Sequence, residues 1–295
     1  MTLALTSLTL SHFRSHKLAR IAVDARPGAL FGANGAGKTN VLEAVSLLSP
    51  GRGLRRASAE DMTRQPEALG WKIAALLQTP SQPHEIDIWS EAGAARQVSV
   101  DGKPAPQTKL AELVRVLWLI PAMDRLWIEA ADGRRRFLDR LTLSFFPGHA
   151  QLSLDYEKVM RQRNRLLKDQ VRDPAWSGAL EGQMAQAGQA IQQNRIAAVA
   201  RVAEAQDGAS TAFPAADLTL THPDVAFPDD LSAALADSRP RDIAAGRTLV
   251  GPHRVDLSGV YAAKGIAAKD CSTGEQKALL VSLILSNARA LAADV

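Results

Sequence analysis

The octapeptide Gly32-Ala33-Asn34-Gly35-Ala36-Gly37-Lys38-Thr39 constrains this chain more than any other stretch, because it matches G-x-x-x-x-G-K-[ST] in full. Glycines at these positions let the backbone curl so that successive N–H groups converge on an anion. Lys38 supplies a point charge for β- and γ-phosphates, and the Thr39 hydroxyl suits the coordination shell of Mg²⁺. At a glycine frequency of about 7%, such a match arises by chance in only about one chain in a hundred of this length. Its surroundings agree with the motif. Ala29 to Phe31 reads as a short apolar strand, and from Lys38 onward Val41, Leu42, Val45 and Leu48 recur at helical spacing until Pro50-Gly51 stops the pattern. Strand, glycine-rich turn and helix form the setting in which a helix N-terminus meets phosphate. The motif implies a nucleoside triphosphate, ATP, with Mg²⁺, held by Gly32 to Thr39 and the adjoining Asn40.

Length and charge narrow the partners. A chain of 295 residues accommodates one large domain or two. Its 35 basic and 31 acidic residues leave a net charge of +4, which permits a nucleic-acid partner without requiring one. The single cysteine, Cys271, excludes an intrachain disulfide and a Cys-rich zinc site. No run of about 18 apolar residues occurs, and no Lys or Arg precedes Arg14, so neither a membrane span nor a secretory signal is expected. The expected location is cytoplasmic.

Thr2 to Leu10 and Leu18 to Val23 alternate as short strands around a turn at Ser11 to Lys17. Further strands are predicted at Trp71 to Leu77, Glu85 to Trp89 and Gln97 to Val100, with Asp101-Gly102 as a hairpin turn. The middle is helical. Leu152 to Val171 places Leu152, Tyr156, Val159, Leu166 and Leu167 on one face and Lys158, Arg161, Arg163, Arg165 and Lys168 on the other. Leu180 to Gln206, rich in Ala and Gln, suits a long antiparallel partner. Pro-rich loops follow over Phe213 to Pro228, then a strand-like segment at Arg247 to Leu257 and a closing helix from Thr273 to about Leu291.

Four further stretches stand out. Ser272-Thr273-Gly274-Glu275-Gln276 is by itself a capping box, Ser272 as N-cap and Glu275 at N3. Gly274, however, weakens the helix without local gain, which suggests a close approach to its backbone. His12-Phe13-Arg14-Ser15-His16 reads alone as a surface turn with a buried Phe. Arg134-Arg135-Arg136-Phe137-Leu138-Asp139 reads as a solvated charge run entering a helix. Leu249-Val250-Gly251-Pro252-His253-Arg254-Val255-Asp256-Leu257 has no mechanism legible from spacing, and His253 reads as a strand-end histidine.

Taken in order, F-R-S-H, G-A-N-G-A-G-K-T-N-V-L-E-A, R-R-R-F-L-D, L-V-G-P-H-R-x-D-L and S-T-G-E-Q-K resemble the RecF family of DNA replication and repair proteins. The match is weakest from about Asp155 to Arg241, and Val255 stands where many members have a second acid, so no role for that acid carries over. The resemblance implies an α/β fold: an ABC-type P-loop ATPase head, with its first part in residues 1–150, a helical arm in 151–243 and the rest of the head in 244–295. It implies that Arg14 reaches nucleotide phosphate. It also implies that Ser272, Gly274 and Gln276 meet the ATP held by a second copy's P-loop, giving an ATP-dependent homodimer. The implied partners are double-stranded or gapped DNA and RecR- and RecO-like repair proteins, with no membrane. Arg52, Arg55, Arg56, Arg161, Arg163, Arg165 and Lys168 are candidates for phosphate contact, against the plain alternative of a solvated face.

The family also implies an apolar strand ending in Asp-Glu after the signature helix, and the sequence ends at Val295 where that strand is expected. Leu117 to Asp124 is superficially similar, but Pro121 interrupts it. The chain therefore reads as truncated, with exposed apolar sheet edges, no catalytic carboxylate to assign, and little hydrolysis where full-length relatives are weak ATPases. Two other classes fit less well. An ABC transporter ATPase places its P-loop and signature about a hundred residues apart, whereas Lys38 and Ser272 are separated by 234 positions (272 − 38). A Rad50- or SMC-like structural protein joins them through hundreds of heptad-patterned residues. A nucleotide-binding module without a DNA role is the blandest alternative.

Overall fold

The computed structural model describes residues 3–171, 173–207, 209–224 and 226–293. It divides into two compact units, Met1–Trp118 and Leu119–Val295.

The first unit is built on β1 (Ala4–Phe13), β2 (His16–Ala22), β3 (Trp71–Gln78), β4 (Pro83–Ser90), β5 (Gln97–Val100) and β6 (Lys103–Pro104), in the order β2-β1-β3-β4-β5-β6. Every pairing is antiparallel. Period-two alternation explains the register: Trp71, Ile73, Ala75 and Leu77 are buried, while Lys72 and Leu76 between them are exposed. Ile86 and Ile88 of β4 join the same core. Asp101 and Gly102 both take positive φ, 51° and 73°, which is the hairpin chemistry expected at that dipeptide.

Helix α1 (Lys38–Ser46) lies on this core through Val41 and Ala44, with Leu47 and Leu48 in the turn beyond it. Leu42, expected on the buried face, is instead exposed. Spacings of three and four from Val41 select Ala44 and Leu48 and turn Leu42 outward. Ala29 to Phe31 is not a strand either. No strand among the described residues pairs with it, so Leu30 is exposed and Phe31 stands 94% exposed. A short helix, α2 (Leu110–Leu113), closes the core with Leu110.

The second unit contains α3 (Ala131–Phe145), α4 (His149–Lys168), α5 (Pro174–Asp207), β7 (Ala216–Thr221), α6 (Leu231–Ala245), β8 (Asp256–Tyr261), β9 (Ile266–Ala267) and α7 (Thr273–Ala292). The three strands form an antiparallel sheet in the order β7-β8-β9. Strand β7 lies inside the stretch expected to be loop: the alternation Asp217, Leu218, Thr219, Leu220, Thr221 overrides the flanking prolines. Of Arg247 to Leu257, expected as strand, only Asp256 and Leu257 are in one; Gly251 and Pro252 break the run into a 3₁₀ turn at Pro252–Arg254, and pairing with β7 begins at Asp256. Helix α6 was not anticipated. It forms despite Pro240, starting from Asp230, whose side chain accepts from Ala233 N, and ending at Gly246 with φ 63°. No helix among the described residues is long and apolar enough to cross a membrane.

Arg163 corrects the helical-face reading of α4. It lies 1% exposed, in line with Tyr156, Val159 and Leu166 at spacings of three and four, not with the exposed Arg161 and Arg165. Its guanidinium donates to Glu181 Oε1 at 3.1 and 3.2 Å, Asp242 Oδ2 at 2.7 Å, Thr248 Oγ1 at 2.9 Å and the Leu235 carbonyl at 2.9 Å. Arg239 also pairs with Glu181, so two guanidiniums balance two buried carboxylates. Removing Arg163 leaves Asp242 and Glu181 buried with too few donors. Arg163→Ala is expected to lower stability by about 3–5 kcal/mol in urea unfolding, several times the effect of Arg161→Ala on the exposed face.

Candidate functional site

The glycine-rich loop leads into α1 through Gly37, its N-cap, with φ 88°; Gly35 is also left-handed at 83°. No side chain among the described residues caps this helix. Asn40 N–H turns back onto the Gly37 carbonyl at 2.9 Å, and the N–H groups of Lys38 and Thr39, orphaned at any α-helix start, have no side-chain cap. Thr39 is exposed and Lys38 partly so. Lys38 Nζ donates to the carbonyls of Gly32 at 2.7 Å and Ala33 at 2.8 Å, folding the loop around its own lysine. The result is a short arch of glycine backbone with a cation and a helix dipole at its base, suited to a polyanion.

The F-R-S-H element braces this arch. Arg14 and Ser15 form the two-residue turn between β1 and β2, and Arg14 holds φ 54°, uncommon for a side chain of its size. His16 Nε2 lies 3.3 Å from the Gly37 carbonyl. A Cβ built on Gly37 would come within 2.5 Å of that nitrogen, so a side chain there would displace the His16 ring as well as strain the positive φ. Ser15 Oγ accepts from Asn40 Nδ2 at 2.8 Å. Arg14 itself forks onto Glu43, at 2.9 Å from Nε and 2.7 Å from Nη2, and donates to the Asp61 carbonyl at 2.6 Å. Glu43, wholly buried on α1, carried no sequence signal beyond its place in N-V-L-E-A.

In the second unit Ser272 is the N-cap of α7, and the capping box is complete. Glu275 Oε2 accepts from Ser272 N and Oγ, both at 2.8 Å, and Glu275 also pairs with Lys264. Lys264 first, then Ser272, hold the Glu275 carboxyl down at about 2. A Cβ on Gly274 would meet nothing within 4 Å, so no contact among the described residues accounts for glycine there. Gln276 is turned inward, its amide donating to the Cys271 carbonyl at 2.9 Å.

The two remaining motifs, expected as a solvated run and a strand end, form one network. Arg134 forks onto Asp256 at 2.9 and 2.7 Å. Asp139 receives Arg195 at 2.7 Å and His149 at 3.0 Å, and Arg195 reaches on to the Pro252 carbonyl at 2.7 Å. His253 donates from Nε2 to the Thr248 carbonyl at 3.1 Å and accepts at Nδ1 from the Tyr156 hydroxyl at 2.8 Å. These residues fix the backbone between α6 and β8. Among the DNA candidates, Arg52, Arg56, Arg161, Arg165 and Lys168 are exposed. Arg55 is bonded to Asn40 at 2.8 Å and to Glu43 at 3.0 Å, and Arg163 is buried as described.

A P-loop opening α1, a strand–turn element bracing it and a capped S-T-G-E-Q helix, on an α/β fold, define an ATPase head of the ABC and SMC type. No family model matches the chain. The DNA replication and repair protein RecF of Rhizobium etli is 46% identical over 97% of this chain and 80% of its own length. That of Caulobacter vibrioides is 44% identical over 98% and 80%. A solved structure of the recombination mediator protein RecF-ATPrS in the RecFOR pathway superposes with a TM-score of 0.85 at 19% identity, covering 98% of this chain and 82% of that one. The Smc head domain of Pyrococcus yayanosii, with a coiled coil and joint, gives 0.53 at 11% identity. The chain belongs to the RecF family.

Burial first, then the charges of Arg254 and Arg135, push His253 down to about 4, against the raising effect of the Thr248 carbonyl. Between that value and the ordinary 6.5, the unfolded chain binds a proton that the folded one refuses, so stability falls as pH drops through this window. The wild type is expected to lose about 3 kcal/mol more than His253→Gln between pH 6.5 and 4. Urea titrations at each pH measure the difference, and parallel pH profiles would contradict the assignment.

Proposed function

We propose that this chain binds ATP through Gly32 to Asn40 and uses it to gate a homodimer on double-stranded or gapped DNA, in concert with RecR- and RecO-like partners. The observation that carries the reading is the uncapped first turn of α1 beneath a glycine arch whose lysine sits on its own carbonyls. A triphosphate fits that chemistry: it takes the free N–H groups and gives Lys38 phosphate oxygens in place of Gly32 and Ala33. Among the described residues no group of three or more His, Cys, Asp or Glu could hold a metal. Mg²⁺ fits here as a companion of the nucleotide, with the Thr39 hydroxyl as a protein ligand.

The signature helix supplies the gate. Ser272 and Gly274 are exposed at the start of α7, and the open space over Gly274 suits a phosphate from a second copy's nucleotide. Lys264 offsets the Glu275 charge that would otherwise repel it. Gln276 supports this end of α7 from inside through the Cys271 carbonyl. Arg52 and Arg56, and separately Arg161, Arg165 and Lys168, offer exposed cations for DNA phosphates.

Two variants separate binding from gating. Lys38→Ala is expected to abolish saturable uptake of labelled ATP, a loss of at least ~100-fold, given that charge-assisted bonds to phosphate are strong. Ser272→Arg is expected to keep near wild-type ATP affinity while losing ATP-dependent dimerisation in sedimentation and ATP-dependent retention of gapped duplex. Equal ATP uptake by wild type and Lys38→Ala would overturn the reading.

A further inference from the structure

A closed circuit of polar contacts surrounds the base of the P-loop helix. Arg14 forks onto Glu43, and Glu43 Oε2 also accepts from Arg55 Nη1 at 3.0 Å. The same Arg55 nitrogen donates to Asn40 Oδ1 at 2.8 Å, and Asn40 Nδ2 donates to Ser15 Oγ at 2.8 Å, next to Arg14. Three segments are thereby tied together: the β1–β2 turn, α1 and the loop after it. At the centre is a carboxylate with no solvent exposure, while the Arg14 side chain is 20% and that of Arg55 39% exposed. A buried carboxylate in α1 is costly unless fully partnered. Two guanidiniums are more than its charge requires. The nearby Asp61 carboxylate is turned to Ser58 N and Oγ and leaves only its carbonyl to Arg14.

We infer that Glu43 is a positioning residue for the nucleotide site, holding Arg14, with Arg55 beside it, in a fixed orientation toward the phosphates at the start of α1. Arg14 commits three of a guanidinium's five N–H donors to Glu43 and Asp61, which leaves two beyond those bonds. Its positive φ is a strained conformation of the kind that persists where surrounding contacts over-determine it, as they do here through the Arg14 N–H to the Met62 carbonyl at 2.8 Å. Glu43 lies five residues past Lys38, about 7.5 Å along the helix, and the neighbours of Arg14 in the turn, Ser15 and His16, contact Asn40 and Gly37 at the helix start, which sets Arg14 beside the same site. Arg55, grouped by sequence with the DNA contacts, is joined by this circuit to the nucleotide site.

This inference rests on the reading of Gly32 to Thr39 as a nucleotide site, and the test keeps the two apart. Charge alone predicts that Glu43→Gln, which removes a negative group near an anion site, tightens ATP binding. Positioning predicts the opposite sign. Titration of the full chain with a fluorescent ATP analogue is expected to show at least ~10-fold weaker binding by Glu43→Gln. In an Arg14→Ala background the same change is expected to add less than ~2-fold, since its effect runs through Arg14. Unchanged or tighter binding by Glu43→Gln, or an equal loss in both backgrounds, would overturn the inference while wild-type binding stands. If Glu43→Gln does not fold, Arg14→Lys decides: it keeps the charge but cannot fork, so at least ~5-fold loss is expected and wild-type affinity refutes positioning. Absence of saturable binding by the wild type itself would instead sink the nucleotide reading, and this inference with it.

Discussion

The first turn of α1 has no side-chain cap, and contacts from the rest of the first unit hold the helix in its place. A helix start with glycine as its N-cap and no side-chain cap forgoes a few tenths of a kcal/mol relative to a Ser or Asp at that position. The compensation comes from outside the loop. Asn40 ties the first turn to Ser15, His16 abuts the Gly37 carbonyl, and Glu43 fastens the next turn to Arg14 and Arg55. Beneath them Val41, Ala44 and Leu48 pack on the sheet core. The helix is held from its sides and by the core beneath it, while its beginning carries no side-chain cap.

The second unit solves a different problem with related chemistry. Buried ion pairs fix the segment between α6 and β8, beside the packed Val250 and Val255. Arg163 draws Glu181, Asp242 and Thr248 together, while Arg195 and Arg134 connect α5 and α3 to Pro252 and Asp256. Such networks contribute little net stability compared with apolar replacements, but they tolerate the loss of no single member. The segment they organise leads through β8 and β9 to Ser272, so the exposed start of α7 stands on a rigid footing.

Much of this was legible in the sequence, for reasons tied to particular residues. The P-loop, β3 to β5, the Asp101-Gly102 turn and α7 with its capping box all follow from local chemistry: glycine where φ is positive, alternation where one face is buried, Ser and Glu three residues apart. What escaped was decided by tertiary partners. Ala29 to Phe31 is apolar enough for a strand but has no neighbour among the described residues. Arg163 carries a charge and is buried because Glu181 and Asp242, far along the chain, come to it. Arg134 and His253 looked like surface and strand-end residues until Asp256 and Tyr156 supplied their partners. Glu43 was indistinguishable from an ordinary helical glutamate. A single sequence records the residue and not its partner.

Amide hydrogen exchange across residues 32–41, with and without Mg-ATP, tests most directly whether the open start of α1 is the receptor. Slowed exchange concentrated at the N–H groups of Gly35 to Thr39, absent in nucleotide-free buffer and absent in Lys38→Ala, is the predicted result. Exchange at those amides that ATP leaves unchanged, or protection spread evenly over the sheet instead, would contradict it.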